Sequence, residues 1–125
     1  MKIINLDKFR DLPPYTLFSK YKPCVLGDLE IKGDTLDVDF LSQEIANSVE
    51  AWDTAELVSK LENATESGIS VDVDLDSWGR DGLFESDQLF AVWEKKDIEK
   101  LIAVLNQCLH NAHGQPRLAN TKKEA

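Results

Sequence analysis

The chain has 125 residues and 14.1 kDa, about one domain's worth. At 42% hydrophobic residues it carries enough apolar material for a core. Its strongly apolar runs are only a few residues long, which excludes a membrane helix of about 18 or more. The net charge of −9 is unevenly placed: residues 1–27 carry +3, residues 28–94 carry −15, and residues 95–125 carry +3. An acidic centre of this kind repels nucleic-acid phosphates and suits a basic partner, or simply solubility.

Along the chain, Asp7, Lys8, Arg10 and Asp11 interrupt the opening before any secretory apolar stretch can form. Pro13-Pro14 forces an extended turn. Tyr15 to Tyr21 is a short aromatic-rich segment, helix or strand, ending before Pro23. From Val25 to Phe40 the apolar residues Leu29, Ile31, Leu36, Val38 and Phe40 alternate with period two, and Lys32-Gly33-Asp34 falls between the two runs. That pattern predicts a β-hairpin. Leu41, Ile45 and Val49, at spacing four, read as one or two turns of helix over Ser42–Val49.

Asp53-Thr54-Ala55-Glu56 opens a firmer helix with a capping-box-like pair, and Trp52 before it reads as a hydrophobic staple. Leu57, Leu61 and Ala64 form its stripe beside Val58, and Gly68 stops it. Ile69, Val71, Val73 and Leu75 alternate with Ser70, Asp72, Asp74 and Asp76, predicting a strand with one buried face. Residues 77–82 form a loop, and Leu89 to Trp93 read as a central strand. Asp97 to Ala112 is the best helix, with Ile98, Leu101, Ile102, Leu105 and Leu109 on one face. The expected architecture is α+β. It comprises a single globular domain over 1–112, with an antiparallel sheet and two to four helices packed on one face, then a polar, mobile tail over 113–125. Val71, Val73, Leu75, Phe90 and Val92 are expected to share a core with Leu57, Leu61, Leu101 and Leu105.

No catalytic set, cofactor motif or metal site emerges. Cys24 and Cys108 lie in apolar stretches with no CxxC and no His/Cys cluster, which suits reduced thiols in a cytoplasm and excludes structural zinc. Cys108 reads as a core residue, because residues two apart on a helix do not face each other and His110 cannot pair with it. Asp72-x-Asp74-x-Asp76 resembles the start of an EF-hand loop, yet Ser77 and Leu83 stand where that loop needs Gly and Glu. As a strand the three aspartates face one way, either as a solvated surface or as a docking row for Lys/Arg. Trp78, beside them in a Gly-bounded loop, is either folded into the core or presented to a partner. Glu94-Lys95-Lys96 with an upstream Asp76 or Asp81 resembles the PD-(D/E)xK nuclease pattern, but no Pro-Asp precedes the strand.

In size, charge and the lack of catalytic motifs the chain resembles the small acidic immunity proteins of bacterial toxin systems, including contact-dependent growth inhibition. That resemblance implies a non-enzymatic protein that covers the active site of a cognate basic toxin, a nuclease, with an acidic face. The residues expected to carry it are Asp72, Asp74, Asp76, Trp78 and Asp81, with Glu85 and Asp87 on the rim. An adaptor that binds another basic protein, and a nuclease built on Glu94 and Lys96, are the alternatives.

Overall fold

The computed structural model describes residues 1–45, 48–83 and 85–114. The fold is α+β. Its strands are β1 (Lys2–Asn5), β2 (Thr16–Lys22), β3 (Val25–Leu26), β4 (Glu30–Leu36), β5 (Asp39–Glu44), β6 (Ser48–Val49), β7 (Val73–Asp74), β8 (Gly79–Arg80) and β9 (Leu89–Val92). The helices are α1 (Leu6–Arg10), α2 (Thr54–Ser67) and α3 (Lys95–Cys108), the last running into a π-helical turn over Leu109–His113. The chain divides into two compact units, one of residues 3–92 and one of residues 1–2 with 93 onward.

The larger unit is organised by β2, which pairs antiparallel with both β4 and β9 in a main sheet ordered β1-β9-β2-β4-β5-β8. Register sets the faces. Phe18 lies opposite Val92 and Glu30, and Lys20 lies opposite Phe90, so these side chains share one face. Helix α1 covers that face with Leu6 and Phe9. The Phe9 ring stacks on Phe90 at 3.9 Å and meets Phe18 and Phe40 edge-on at 4.7 and 5.0 Å. Such edge-on pairs add about 0.5–1.5 kcal/mol each beyond burial. Asn5 starts α1 by accepting the Lys8 amide at 3.0 Å.

The fully buried Lys32 ties this core to the chain before β2. Its Nζ donates to Leu12 O (2.9 Å), Gly33 O (3.0 Å) and Thr35 Oγ1 (2.8 Å). Burial pulls its pKa below the ordinary lysine value, with Asp34 opposing. Three acceptors for three N–H donors explain how an ammonium sits among aromatic rings.

The β4–β5 hairpin forms, but not around Lys32-Gly33-Asp34. Those residues make a bulge inside β4, where the register shifts between Lys32 and Thr35. The turn is Asp37-Val38, with Asp37 in the left-handed region at φ 59°, a conformation that Asp tolerates. The helix expected over Ser42–Val49 is not present in its described part: β5 runs to Glu44, and Ser48–Val49 pair with β7. Pairing with β4 overrides the spacing of four. Residues 46 and 47 of that segment lie outside the described residues.

Helix α2 matches its signals. Asp53 accepts the Glu56 amide at 2.9 Å, Glu56 accepts the Trp52 amide, and Gly68 closes the helix at φ 72°. Trp52, however, is 92% exposed and staples nothing. The expected shared core is also corrected. Phe90 is buried and Val92 packs on the aromatic cluster, but Val71, Val73, Leu75, Leu61 and Leu105 are exposed, and neither α2 nor α3 buries a residue. The strand over 69–76 shrinks to Val73–Asp74, paired only with β6 in a two-stranded ribbon. Alternation marks which side chains share a face; a covering layer is a separate condition, and this ribbon lacks one.

In the smaller unit α3 starts at Lys95, capped reciprocally by Glu94 and Asp97. Cys108 is exposed, not core, and Cys24 is exposed as well. The tail expected over 113–125 lies outside the described residues from residue 115 on.

Candidate functional site

The face that carries the aromatic core continues past the reach of α1. There the side chains turn from apolar to charged, because β2 places Lys20 two residues after Phe18 and β4 places Glu30 directly across from Phe18. Glu30 in turn lies directly opposite Glu44 of β5. The segment after β8 brings Asp81 over this end, and Asp28 precedes β4. The result is an open basin of about 510 Å³, in which Asp28, Glu30, Glu44 and Asp81 face Lys20 and Arg80.

Three of these charges are committed: Asp81, Lys20 and Arg80. The side chain of Asp81 is 4% exposed; its Oδ2 stands 2.9 Å from Lys20 Nζ in an ion pair without hydrogen-bond alignment, and Ser42 Oγ donates to Oδ1 at 3.3 Å. Arg80 Nε reaches Asp39 Oδ2 at 3.4 Å. Burial alone would raise the Asp39 pKa, but the amides of Phe40 and Gly82 and the Arg80 guanidinium outweigh it and hold the carboxyl below its ordinary value. Asp39 thus pins the 80–82 segment to the start of β5.

Glu30 is different. Its partial burial beside Phe18 pushes its carboxyl up to about 7; Lys20 opposes this, while Asp81, Glu44 and Asp28 add to it. Two carboxylates directly opposed across antiparallel strands destabilise each other. Carboxylates outnumber cations in this site, and Lys20 offsets the repulsion at Glu30 only in part.

The residues singled out from sequence divide among three places. Asp72 and Asp76 are exposed and Asp74 is half-buried. They do not form a straight row, because Asp74 Oδ1 accepts the Asp76 amide at 2.8 Å and bends the chain after β7. Asp76 Oδ1 accepts the Trp78 indole N–H at 2.9 Å. The Trp78 ring is half-buried, edge-on to Tyr15 at 5.6 Å, and lies over Gly33 and beside Leu41, on the sheet face opposite the basin. A methyl at Gly33 would stand 3.1 Å from that ring and 2.9 Å from Leu41 Cβ. Asp81 lies inside the basin. Glu85 and Asp87 are exposed and line a separate hollow of about 310 Å³ with Tyr21, Lys22 and Gln88.

Sequence reading missed Asp28, Glu30, Glu44 and Lys20. The only local signal was the charge of Asp28 and Glu30 flanking Leu29; their meeting with Lys20 and Asp81 depends on strand pairing. Glu94 is occupied as the α3 cap, 4.0 Å from Lys96 Nζ. Among the described residues no three His, Cys, Asp or Glu side chains group closely enough to hold a metal ion. Among them, too, no helix is long and apolar enough to cross a membrane. Comparison with family models, curated proteins and solved structures finds no match.

Proposed function

We propose that this protein is a non-enzymatic, cytoplasmic binding protein that receives a basic protein partner at the acidic end of its main sheet. In the sharpest form of this reading the partner is a cognate toxin, a nuclease, whose substrate groove is covered. The observation that supports it is Glu30: a carboxyl held at about 7 by desolvation and by neighbouring carboxylates gains when a guanidinium or ammonium arrives. The exposed Asp72 and Asp76 add negative field on the segment that leads into β8, and a partner that wraps around the β8 edge also meets half-exposed Trp78 beside Tyr15 on the other face. Asp81 acts from inside, holding Lys20 so that the basin keeps its shape.

The test is affinity capture with the product of the adjacent reading frame co-expressed, followed by binding kinetics at two salt concentrations. A basic protein is expected to be captured, its nuclease activity falling to zero at one equivalent. Asp28→Lys, and Asp72→Lys with Asp74→Lys, slow association about tenfold at low salt and less at high salt. Trp78→Ala chiefly speeds dissociation. Full nuclease activity of a captured partner would move the reading to an adaptor. Unchanged kinetics in all these variants would remove the acidic face from the interface. Metal-dependent DNA or RNA cleavage by the purified protein, abolished by Glu94→Ala, would overturn the non-enzymatic reading in favour of the nuclease.

A further inference from the structure

Each of the two longer helices leaves an apolar stripe uncovered among the described residues, and the stripes differ in charge. On α2, Val58, Leu61, Glu62, Thr65 and Glu66 line a shallow groove of about 290 Å³. The spacing i, i+3, i+4, i+7 is that of one helix face. Val58 is 48% and Leu61 43% exposed. On α3, Asp97, Lys100, Leu101 and Val104 repeat the same spacing, and with Met1 and Trp93 they line a groove of about 300 Å³ that is almost wholly apolar. Val104 is 57% exposed, and Leu105 and Leu109 continue the exposed apolar surface toward the helix end.

The charges left over on these stripes are opposite. On α3 the Asp97 carboxylate is taken up by the Met1 ammonium at 2.7 Å and the Glu94 amide at 2.8 Å, and Glu99 pairs with Lys95. That leaves Lys100, which makes no ion pair among the described residues. On α2, Lys60 pairs with Glu56 and donates to the Glu50 carbonyl. That leaves Glu62 and Glu66, likewise without an ion pair among the described residues. One face is therefore apolar with an acidic rim and the other apolar with a basic rim, each a little over two turns long.

We propose that the protein self-associates, with the Val58–Leu61 face of α2 from one copy seated in the α3 groove of a second copy and with Glu62 and Glu66 directed at Lys100. Antiparallel or parallel helices with matched apolar seams and opposite flanking charges select each other in this manner. Because each copy carries both faces, a two-fold pair uses the contact twice, and a head-to-tail series uses it once at each join. None of the residues lining the two helix grooves lines the basin.

Sedimentation velocity or light scattering on the whole chain, in a concentration series up to about 200 µM, reads the mass directly. Two or more copies are expected. Leu61→Glu and Val104→Glu each weaken the pair about tenfold or more, with unchanged circular dichroism because both side chains are exposed. Lys100→Glu alone and Glu62→Lys with Glu66→Lys each give single copies, since like charges then meet in both contacts. An equimolar mixture of these two variants restores the pair, because both contacts then join opposite charges. A single-copy mass for the parent chain across the series overturns the proposal. So does a mixture that stays single-copy, or charge variants that pair as the parent does.

Discussion

Glu30→Gln removes the charge of the most strained carboxyl in the basin while keeping its shape and its place in β4. In the folded protein that carboxyl titrates at about 7 rather than at the ordinary 4.5. A carboxyl raised in this sense holds its proton more tightly in the folded state. Its contribution to stability is therefore complete below about pH 4.5 and is lost as the pH rises through about 7. At about 1.4 kcal/mol per pH unit, the loss has an upper bound of about 3 kcal/mol. Glu30 is only partly buried, and solvent screening lowers that to about 1–2 kcal/mol. Gln behaves as a permanently neutral stand-in. Urea unfolding at pH 4.5, 6, 7 and 8 is the assay, with the midpoint and slope compared at each pH. Near pH 4.5 the two proteins are expected to match within about 0.5 kcal/mol, and by pH 8 the variant is more stable by about 1–2 kcal/mol. A difference that stays constant with pH, or a variant less stable at pH 8, would refute the placement of Glu30 among Asp28, Glu44 and Asp81.

Gly33→Ala is expected to lower stability by about 1–3 kcal/mol through its contact with Leu41 and the Trp78 ring, read as a fall in melting temperature. In a Trp78→Ala background the same change costs less, and strictly additive losses would remove the Gly33–Trp78 contact from the account. Lys32→Met keeps the volume but leaves the Leu12 and Gly33 carbonyls without a donor, at a cost of about 2–4 kcal/mol in denaturant unfolding. A neutral result there would mean that the buried ammonium is replaceable by apolar packing.

What the sequence made legible was local. The start and stop of α2 rest on Asp53, Glu56 and Gly68, each acting on the backbone within four residues, and all three behave as their chemistry implies. The strand at Leu89–Val92 and the helix after it were legible for the same reason. The hairpin was legible in kind but not in register. Lys32-Gly33-Asp34 has turn composition, yet its Lys is drawn into the core by Leu12 and Thr35, and its Gly leaves room for Trp78. Leu12 and Trp78 are 20 or more residues away, and Thr35, three residues on, lies across the bulge of the same strand. Helix α1 carries only five residues, too short for periodicity to register, although Phe9 lies at the centre of the aromatic cluster. The apolar residues of 69–75 show the converse: their period-two pattern reads as a strand with one buried face, but only Val73–Asp74 form a strand, and Val71, Val73 and Leu75 are exposed. Burial requires a second layer, and no local pattern encodes it.

The candidate site follows the same division. An excess of carboxylates in residues 28–94 was visible from composition, but composition does not separate carboxylates that fasten the fold from those that face a partner. Asp39 holds the 80–82 segment, Asp53 caps α2, Asp76 anchors the Trp78 indole and Asp81 pairs with Lys20. Each of these is fastened to a group of this chain, although only Asp39 and Asp81 meet a cation there. Glu30 is opposed more than it is held, because Lys20 offsets its charge only in part. It lies across from Phe18 on one side and from Glu44 on the other, so its ionised form is opposed both by desolvation and by repulsion. A Gln there would relieve the fold, which makes a carboxylate at this position a cost in stability. A carboxylate that costs stability in the isolated protein recovers part of that cost when a second cation enters the basin, because binding then adds to the counter-charge that Lys20 supplies only in part. The acids that look most prominent in sequence and the acid with most to gain from a partner are therefore different residues, and the strand register that opposes Glu30 to Glu44 is what distinguishes them.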